Sequence, residues 1–270
     1  MQMLITGAAG RIGTALRDRF GDHELVLTDV AALPRPASRR ERFVGDVTSD
    51  VGQLSEVAVG CDLVIHLGWI REPRQDFGVL QANIDLAYRV LEGARRAGVG
   101  RFLFASSNHA VGYTPVAELG RDPRVNVPVR PDDFYGVAKA ACEALCSFYA
   151  DEYEMAILSA RLLSFRHRPT VLRELSTWLS PGDMARLVWA AARLAGPGHR
   201  ICWGVSRNTR RWASLEPGLT LGFDPRDDAE SYAEEIVPAA TERDRDTLIA
   251  VGGRVAPSTV STSWPTDGRR

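Results

Sequence analysis

No apolar run in this chain approaches the roughly 18 residues that a bilayer-spanning helix requires, which excludes a helical membrane protein by pattern. Neither sign of charge is in excess. The 33 Lys and Arg against 34 Asp and Glu leave a formal net charge of -1. Such a balance offers no footprint for nucleic acid or an anionic membrane surface, and Arg-rich stretches such as Pro36-Ala37-Ser38-Arg39-Arg40 read as solvated loops. Cysteine is scarce: only Cys61, Cys142, Cys146 and Cys202 occur, none in a C-x-x-C pair and none beside a His cluster of zinc-binding spacing, so no metal is expected. Cys142 and Cys146, four apart in a helical pattern, share one face and read as small hydrophobes. Four unpatterned thiols suit a reducing cytosol. The pattern of a secretory leader is missing too, since Met3-Leu4-Ile5 runs straight into a glycine loop; a cytoplasmic protein is the expectation.

What is there is globular: 45% hydrophobic and 25% charged residues over a length of 270, enough to bury a substantial core. Short apolar runs at 3–6, 24–28, 42–44, 63–66, 101–105 and 155–161 alternate with helical patterns at about 11–20, 50–58, 77–97 and 135–153. Buried-type strands alternating with helices predict an α/β fold, a doubly wound parallel sheet of Rossmann type covered on both faces. After residue 161 the alternation loosens into a loop, a helix at about 181–195 opened by Pro181, a short strand at 200–203 and a last helix near 227–237. The expected organisation is a cofactor-binding core over 1–161, a small substrate-binding cap over 162–255 and a loose tail, rich in Ser, Thr, Pro and Gly, over 256–270.

The first strand ends in Thr6-Gly7-Ala8-Ala9-Gly10-Arg11-Ile12-Gly13. Glycines at three-residue spacing between strand and helix let the backbone turn sharply, approach a pyrophosphate and pack the helix on the sheet. The helix start offers free N–H groups and partial positive charge to phosphates. Gly7, Gly10, Arg11, Ile12 and Gly13 are therefore expected at a dinucleotide. Asp29 closes the second strand 22 positions after Gly7, where an acid accepts hydrogen bonds from the adenosine ribose. The same carboxylate repels a 2′-phosphate and the nearest downstream base is Arg35, so NAD is expected rather than NADP. Asp46 and Val47 follow the third strand, where such folds meet the adenine.

Tyr135-Gly136-Val137-Ala138-Lys139 sets a phenol and an ammonium four residues apart, on one face of a helix. A phenol titrating near 10 is a poor base at neutral pH; a neighbouring ammonium favours the phenolate and makes proton transfer practicable. The fifth strand ends Phe104-Ala105-Ser106-Ser107-Asn108-His109, at the strand end where ligands of such sheets bind, so Ser107 is placed to hydrogen-bond a reacting hydroxyl or carbonyl.

Taken together, the glycine loop, Asp46-Val47, His66-Leu67-Gly68, Asn83, Ser107 and the Tyr135/Lys139 pair resemble the extended short-chain dehydrogenase/reductases, the NAD-dependent epimerase/dehydratase family. The resemblance is strongest to its uronate dehydrogenase branch. It is carried by Phe-Ala-Ser-Ser-Asn-His at 104–109, Arg-Pro-Asp-x-x-Tyr-Gly-Val at 130–137, Leu-Ser-Thr-Trp-Leu-Ser at 175–180, Trp203-Gly204-Val205-Ser206 and Leu221-Gly222-Phe223-x-Pro225. It implies that Leu67, Gly68 and Asn83 join the cofactor site, that Tyr135 is the acid/base, that Ser107 polarises the substrate and that Lys139 also holds the nicotinamide ribose. It further implies that Ser107, Asn108, His109 and Ser164 contact a sugar acid and that Arg173 clamps its carboxylate, a task suited to a guanidinium fork. The implied reaction oxidises the anomeric carbon of a free hexuronate, galacturonate or glucuronate, to the aldarolactone without a metal, in a homo-oligomer. Arg71 stands where the family carries a small hydroxyl residue of the sugar site, and the sequence after Val251-Gly252-Gly253 diverges. An NAD-dependent oxidoreductase or epimerase acting on another sugar, free or nucleotide-linked, therefore stays open as the alternative. A non-catalytic NAD sensor is the remote alternative, since it has no use for Ser107, Tyr135 and Lys139 together.

Overall fold

The computed structural model describes residues 1–33, 38–70, 76–119 and 127–253. Arg71, Arg35 and the 256–270 stretch lie outside the described residues.

Seven parallel strands form one sheet. In chain order they are β1 (Gln2–Thr6), β2 (Glu24–Thr28), β3 (Glu41–Phe43), β4 (Leu63–His66), β5 (Arg101–Ser107), β6 (Ala156–Leu162) and, much later, Gly198–Gly204. The spatial order is β3-β2-β1-β4-β5-β6 followed by that last strand. From β1 the chain builds outward through β2 and β3, then crosses back to lay β4 on the other flank of β1. This reversal opens a crevice beyond the carboxyl ends of β1 and β4, the place where open α/β sheets bind ligands.

Alternation along the strands sorts side chains to two faces. Met3, Ile5, Leu25, Leu27, Ile65, Leu103 and Leu158 point to one side, with Leu16 of α1 (Arg11–Arg17) and with Met184, Leu187 and Val188 of the helix Pro181–Ala192. Leu4, Val26, Val64, Phe102, Phe104 and Ile157 point to the other, where α2 (Val51–Ala58), α3 (Phe77–Arg96) and α4 (Phe134–Glu152) pack. Every residue of β4 and of β6 is buried, as a sheet covered on both faces demands. Cys142 and Cys146 are fully buried on the inner face of α4, and burial pushes the Cys142 thiol up to about 12.

The remaining elements shape the crevice. Downstream of β6, β7 (Ser164–Phe165) pairs in parallel with β8 (Trp178–Leu179), bracketing the short α5 (Glu174–Thr177). The helix Pro181–Ala192, α6, starts at a Ser180 cap with Pro181 in its first turn. Gly198–Gly204, β9, rejoins the main sheet beside β6, so part of the later chain belongs to the core sheet itself. In place of one helix near 227–237 there is a 3-10 turn, Ala229–Tyr232, running into Ala233–Ile236. Finally the chain returns as a strap. Val116 N donates to Ile249 O at 2.8 Å, Val251 N to Thr114 O at 2.9 Å and Gly252 N to Gly112 O at 2.8 Å, which lays residues 249–252 along 112–116 at the mouth of the crevice.

Candidate active site

The turn after β1 is made for close approach. Gly7 has φ +70°, and a Cβ there would lie 2.6 Å from the Gly68 backbone nitrogen, so only glycine lets this turn pass the β4 loop. A Cβ at Gly13 would lie 2.5 Å from Ala8 O, so this glycine seats α1 on the sheet and does not line the cleft. The helices α2, α3, α4 and α6 have their first amides capped by Asp50, Asp76, Asp133 and Ser180. By contrast, α1 begins at Gly10 with no side-chain cap, which leaves its first N–H groups for a ligand. Gly7, Gly10, Arg11 and Ile12 all line the crevice, as do Leu67 and Gly68 across from them.

Asp29 stands at the same wall. Its Oδ2 accepts from Ala9 N and its Oδ1 from Ala31 N, each at 2.9 Å, which clamps the carboxylate beside the glycine turn. Asp46 also lines the crevice and folds its own loop by accepting from Thr48 N at 2.9 Å. Val47 lies behind the wall, its N–H donating to Thr28 Oγ1 at 3.3 Å. Asn83 is likewise set back on α3: its Oδ1 accepts from Ile70 N at 2.8 Å, and its Nδ2 donates to Ile70 O and to Val79 O at 2.9 Å each. In this arrangement Asn83 holds the loop after β4 rather than facing the crevice.

A second cluster meets the first at the end of β5. Ser107, Asn108 and His109 line the cleft together with Tyr135 and Lys139 from the first turns of α4, a helix capped by Asp133 whose side chain accepts from Gly136 N at 2.8 Å. Ser107 Oγ accepts from His109 N at 3.2 Å. The Tyr135 ring is held between two others, Trp69 and His109, each edge-on with centroids 5.5 Å away. His109 is itself oriented: its Nδ1 lies 2.8 Å and 3.0 Å from the two oxygens of a carboxylate, Asp132, that is wholly buried. Asp132 and Asp133 thus already serve His109 and the α4 cap, and the three side chains read as an orienting group.

Lys139 is buried, its ammonium donating to Ala105 O. Burial lowers its pKa from the ordinary 10.5 to about 7. Its Nζ lies 3.5 Å from the centroid of Trp69 and 4.8 Å from that of Phe104. A desolvated ammonium over an aromatic face gains ~2 kcal/mol. Beneath it His66, fully buried and hydrogen-bonded to Thr6 Oγ1 at 2.7 Å, is kept neutral, since burial pushes its pKa down to about 3.

On the opposite wall, Ser164 Oγ shares a 2.8 Å hydrogen bond with Thr177 Oγ1. Arg173 also lines the cleft, and its guanidinium is engaged by the strap: Nη1 donates to Thr247 O and to Ala250 O, and Nη2 to Val251 O. Val251 O also accepts from Asn108 Nδ2 at 2.7 Å, so one strap carbonyl joins the two sugar-site candidates. Burial lowers the Arg173 pKa to about 10, which leaves it a cation at neutral pH.

Residue types and spacing could not foresee the partners of these groups. Asp132 on His109, Trp69 on Lys139 and the strap on Arg173 are contacts between segments far apart in the chain. The one available signal was adjacency: Trp69 follows the His-Leu-Gly motif directly, and Asp132 sits in the Arg-Pro-Asp stretch before Tyr135.

Similarity to known proteins follows the same lines. The chain is 36% identical to a uronate dehydrogenase of Agrobacterium fabrum over 255 residues, 93% of this chain and 95% of that one. It is 33% identical to a uronate dehydrogenase of Pseudomonas putida over 261 residues, 94% and 95% of the two chains. The solved structure of a uronate dehydrogenase variant from Agrobacterium tumefaciens in complex with NAD superposes with a TM-score of 0.83 at 34% identity, covering 93% of this chain and 95% of that one. The profile of the "NAD dependent epimerase/dehydratase family" matches residues 3–165, more than half of the sequence, and together with these relatives it shows that the chain belongs to that family.

Proposed function

We propose that this protein is an NAD-dependent dehydrogenase that oxidises a free hexuronate, galacturonate or glucuronate, at its anomeric carbon to the aldarolactone. The observation that carries the reading is the meeting, in one crevice, of the glycine turn with Asp29, the Ser107/Tyr135/Lys139 group and a half-buried guanidinium, Arg173. The cradle at Gly7, the uncapped start of α1 and the acid at Asp29 fit a dinucleotide without a 2′-phosphate. Gly7, Gly10, Arg11, Ile12, Asp29, Asp46, Leu67 and Gly68 would hold it, and NAD supplies the acceptor for a hydride.

The chain's own residues do the rest. Ser107 and Tyr135 hydrogen-bond the anomeric hydroxyl, and the Tyr135 oxygen takes its proton as the C1–H bond breaks. The Lys139 charge favours the phenolate. His109, aimed by Asp132, and Asn108 hold ring hydroxyls, Ser164 lines the far side, and Arg173 faces the carboxylate. Among the described residues no helix is long and apolar enough to cross a membrane. A cytoplasmic homo-oligomer is part of the same proposal, and light scattering on the purified protein tests the assembly.

The decisive experiment measures NADH formation across free uronates, neutral aldoses and nucleotide sugars. Uronates are expected to be turned over best. Equal rates on neutral aldoses would remove the carboxylate clamp from the reading, and conversion of nucleotide sugars without net NADH formation, read by product analysis, would replace it with an epimerase- or dehydratase-like activity.

A further inference from the structure

Lys139 is the sole lysine in the sequence, and its surroundings do little to keep it charged. On its own helix, Cys142 and Cys146 are buried thiols whose ionisation burial opposes. The Glu143 carboxylate favours the ammonium, but it is compensated by Arg161 of β6, which donates to both of its oxygens at 3.0 Å and 2.8 Å, and by the Ser106 hydroxyl. His66 of β4 is kept neutral by burial and by the Lys139 charge, so it brings no counter-charge. Tyr135, one turn back, gains from the ammonium without supplying a charge of its own until it ionises. Among the described residues there also stand the Ala105 carbonyl and three aromatic rings, Trp69 much the nearest at 3.5 Å, then Phe104 at 4.8 Å and Tyr135 at 5.6 Å. The indole N–H of Trp69 is buried and meets no acceptor among the described residues, so the ring is held by its faces and edges.

We propose that Trp69 is a positioning residue: its indole face keeps the Lys139 ammonium charged and, edge-on to Tyr135, fixes the distance between phenol and cation. Its consequence for turnover rests on the dehydrogenase reading above; the contact itself does not. The ring's negative face favours the protonated lysine, so weakening that face lowers the pH at which Lys139 loses its proton.

A single lysine makes this measurable. Protein grown on [ε-13C]lysine gives one side-chain signal, whose pH titration in the absence of NAD and sugar reads Lys139 alone. Trp69→Leu is expected to lower the midpoint by about one pH unit, and Trp69→Phe by less. Replacing tryptophan by its mono-, di- and trifluoro analogues, which drains the ring face while keeping its shape, should lower the midpoint stepwise; this series carries the test if Trp69→Leu does not fold. In NAD reduction assays, Trp69→Leu should narrow the pH range of kcat from the alkaline side, and Trp69→Phe should restore most of it. A midpoint unmoved by the fluorinated series and by Trp69→Leu overturns the proposal, even if kcat falls. Failure of the wild-type protein to oxidise any uronate would instead overturn the functional reading and leave the titration to stand on its own.

Discussion

The two sides of the crevice are built by different means. On the cofactor side the working groups are largely backbone and come from one short stretch: the turn over residues 7–13, joined by Asp29, whose carboxylate bonds Ala9 N only 20 residues away. On the sugar side they are side chains held by distant segments. Asn108 reaches Val251 across 143 residues and Arg173 reaches Ala250 across 77. A substitution on the first side should act where it is made; one on the second should loosen the chain of contacts that runs from Asn108 through the Val251 carbonyl to Arg173.

Tyr135 sits at the seam between the two, and its removal carries the largest expected effect. Tyr135→Phe should lower kcat ~10³-fold, the scale of a lost general base, while the NAD dissociation constant stays within about twofold. Normal turnover in this variant would take the acid/base role from Tyr135. Arg173→Lys comes next. It keeps the charge but not the planar fork, so kcat/KM for uronates should fall ~10²-fold with little change for neutral aldoses. Because three strap carbonyls lose the guanidinium, and only Val251 O keeps a second donor in Asn108 Nδ2, amide exchange at residues 249–252 should quicken while NAD affinity holds. Were NAD affinity to fall in step, the two sides would not be separable. A smaller effect is expected at Asp132, which aims His109. Asp132→Asn preserves the shape that Gly112 and Gly252 require, since a Cβ at either would lie within 2.3 Å of that carboxylate. It should cost ~10-fold in kcat/KM, with Asp29 and the glycine turn untouched.

That asymmetry also explains what could be read from residues alone. The strands at 24–28 and 63–66 match Glu24–Thr28 and Leu63–His66 residue for residue, because buried parallel strands are short unbroken apolar runs bounded by turns. The glycine turn was equally legible, since each glycine answers to a local backbone demand. Helix ends were less so: a pattern at 227–237 breaks into a 3-10 turn and a short helix because its contacts are with α5, far upstream. Asn83, grouped by resemblance with the cofactor residues, is turned to the backbone of Ile70 instead. The strap left no local mark. Its backbone pairs with residues 112–116, and no periodicity near 250 announces a partner over a hundred residues upstream.

The smallest expected effect is one of stability, and its sign follows from Lys139. Burial lowers its pKa from 10.5 in the ordinary case to about 7. Between those two values the unfolded chain holds a proton that the folded chain does not, so stability rises with pH across that window and the burial penalty is largest below it. Lys139→Met removes the charge and keeps the bulk. It should therefore raise Tm by ~4 °C near pH 6, a gain that shrinks as pH climbs and is gone near the ordinary lysine range, although turnover is lost at every pH. The thermal shift measured at pH 6 and again near pH 10 decides the matter. A variant less stable at both would mean that the Ala105 carbonyl and the aromatic rings around the ammonium more than offset the cost of burying the charge, and that the seam of this crevice is built for stability as well as for proton transfer.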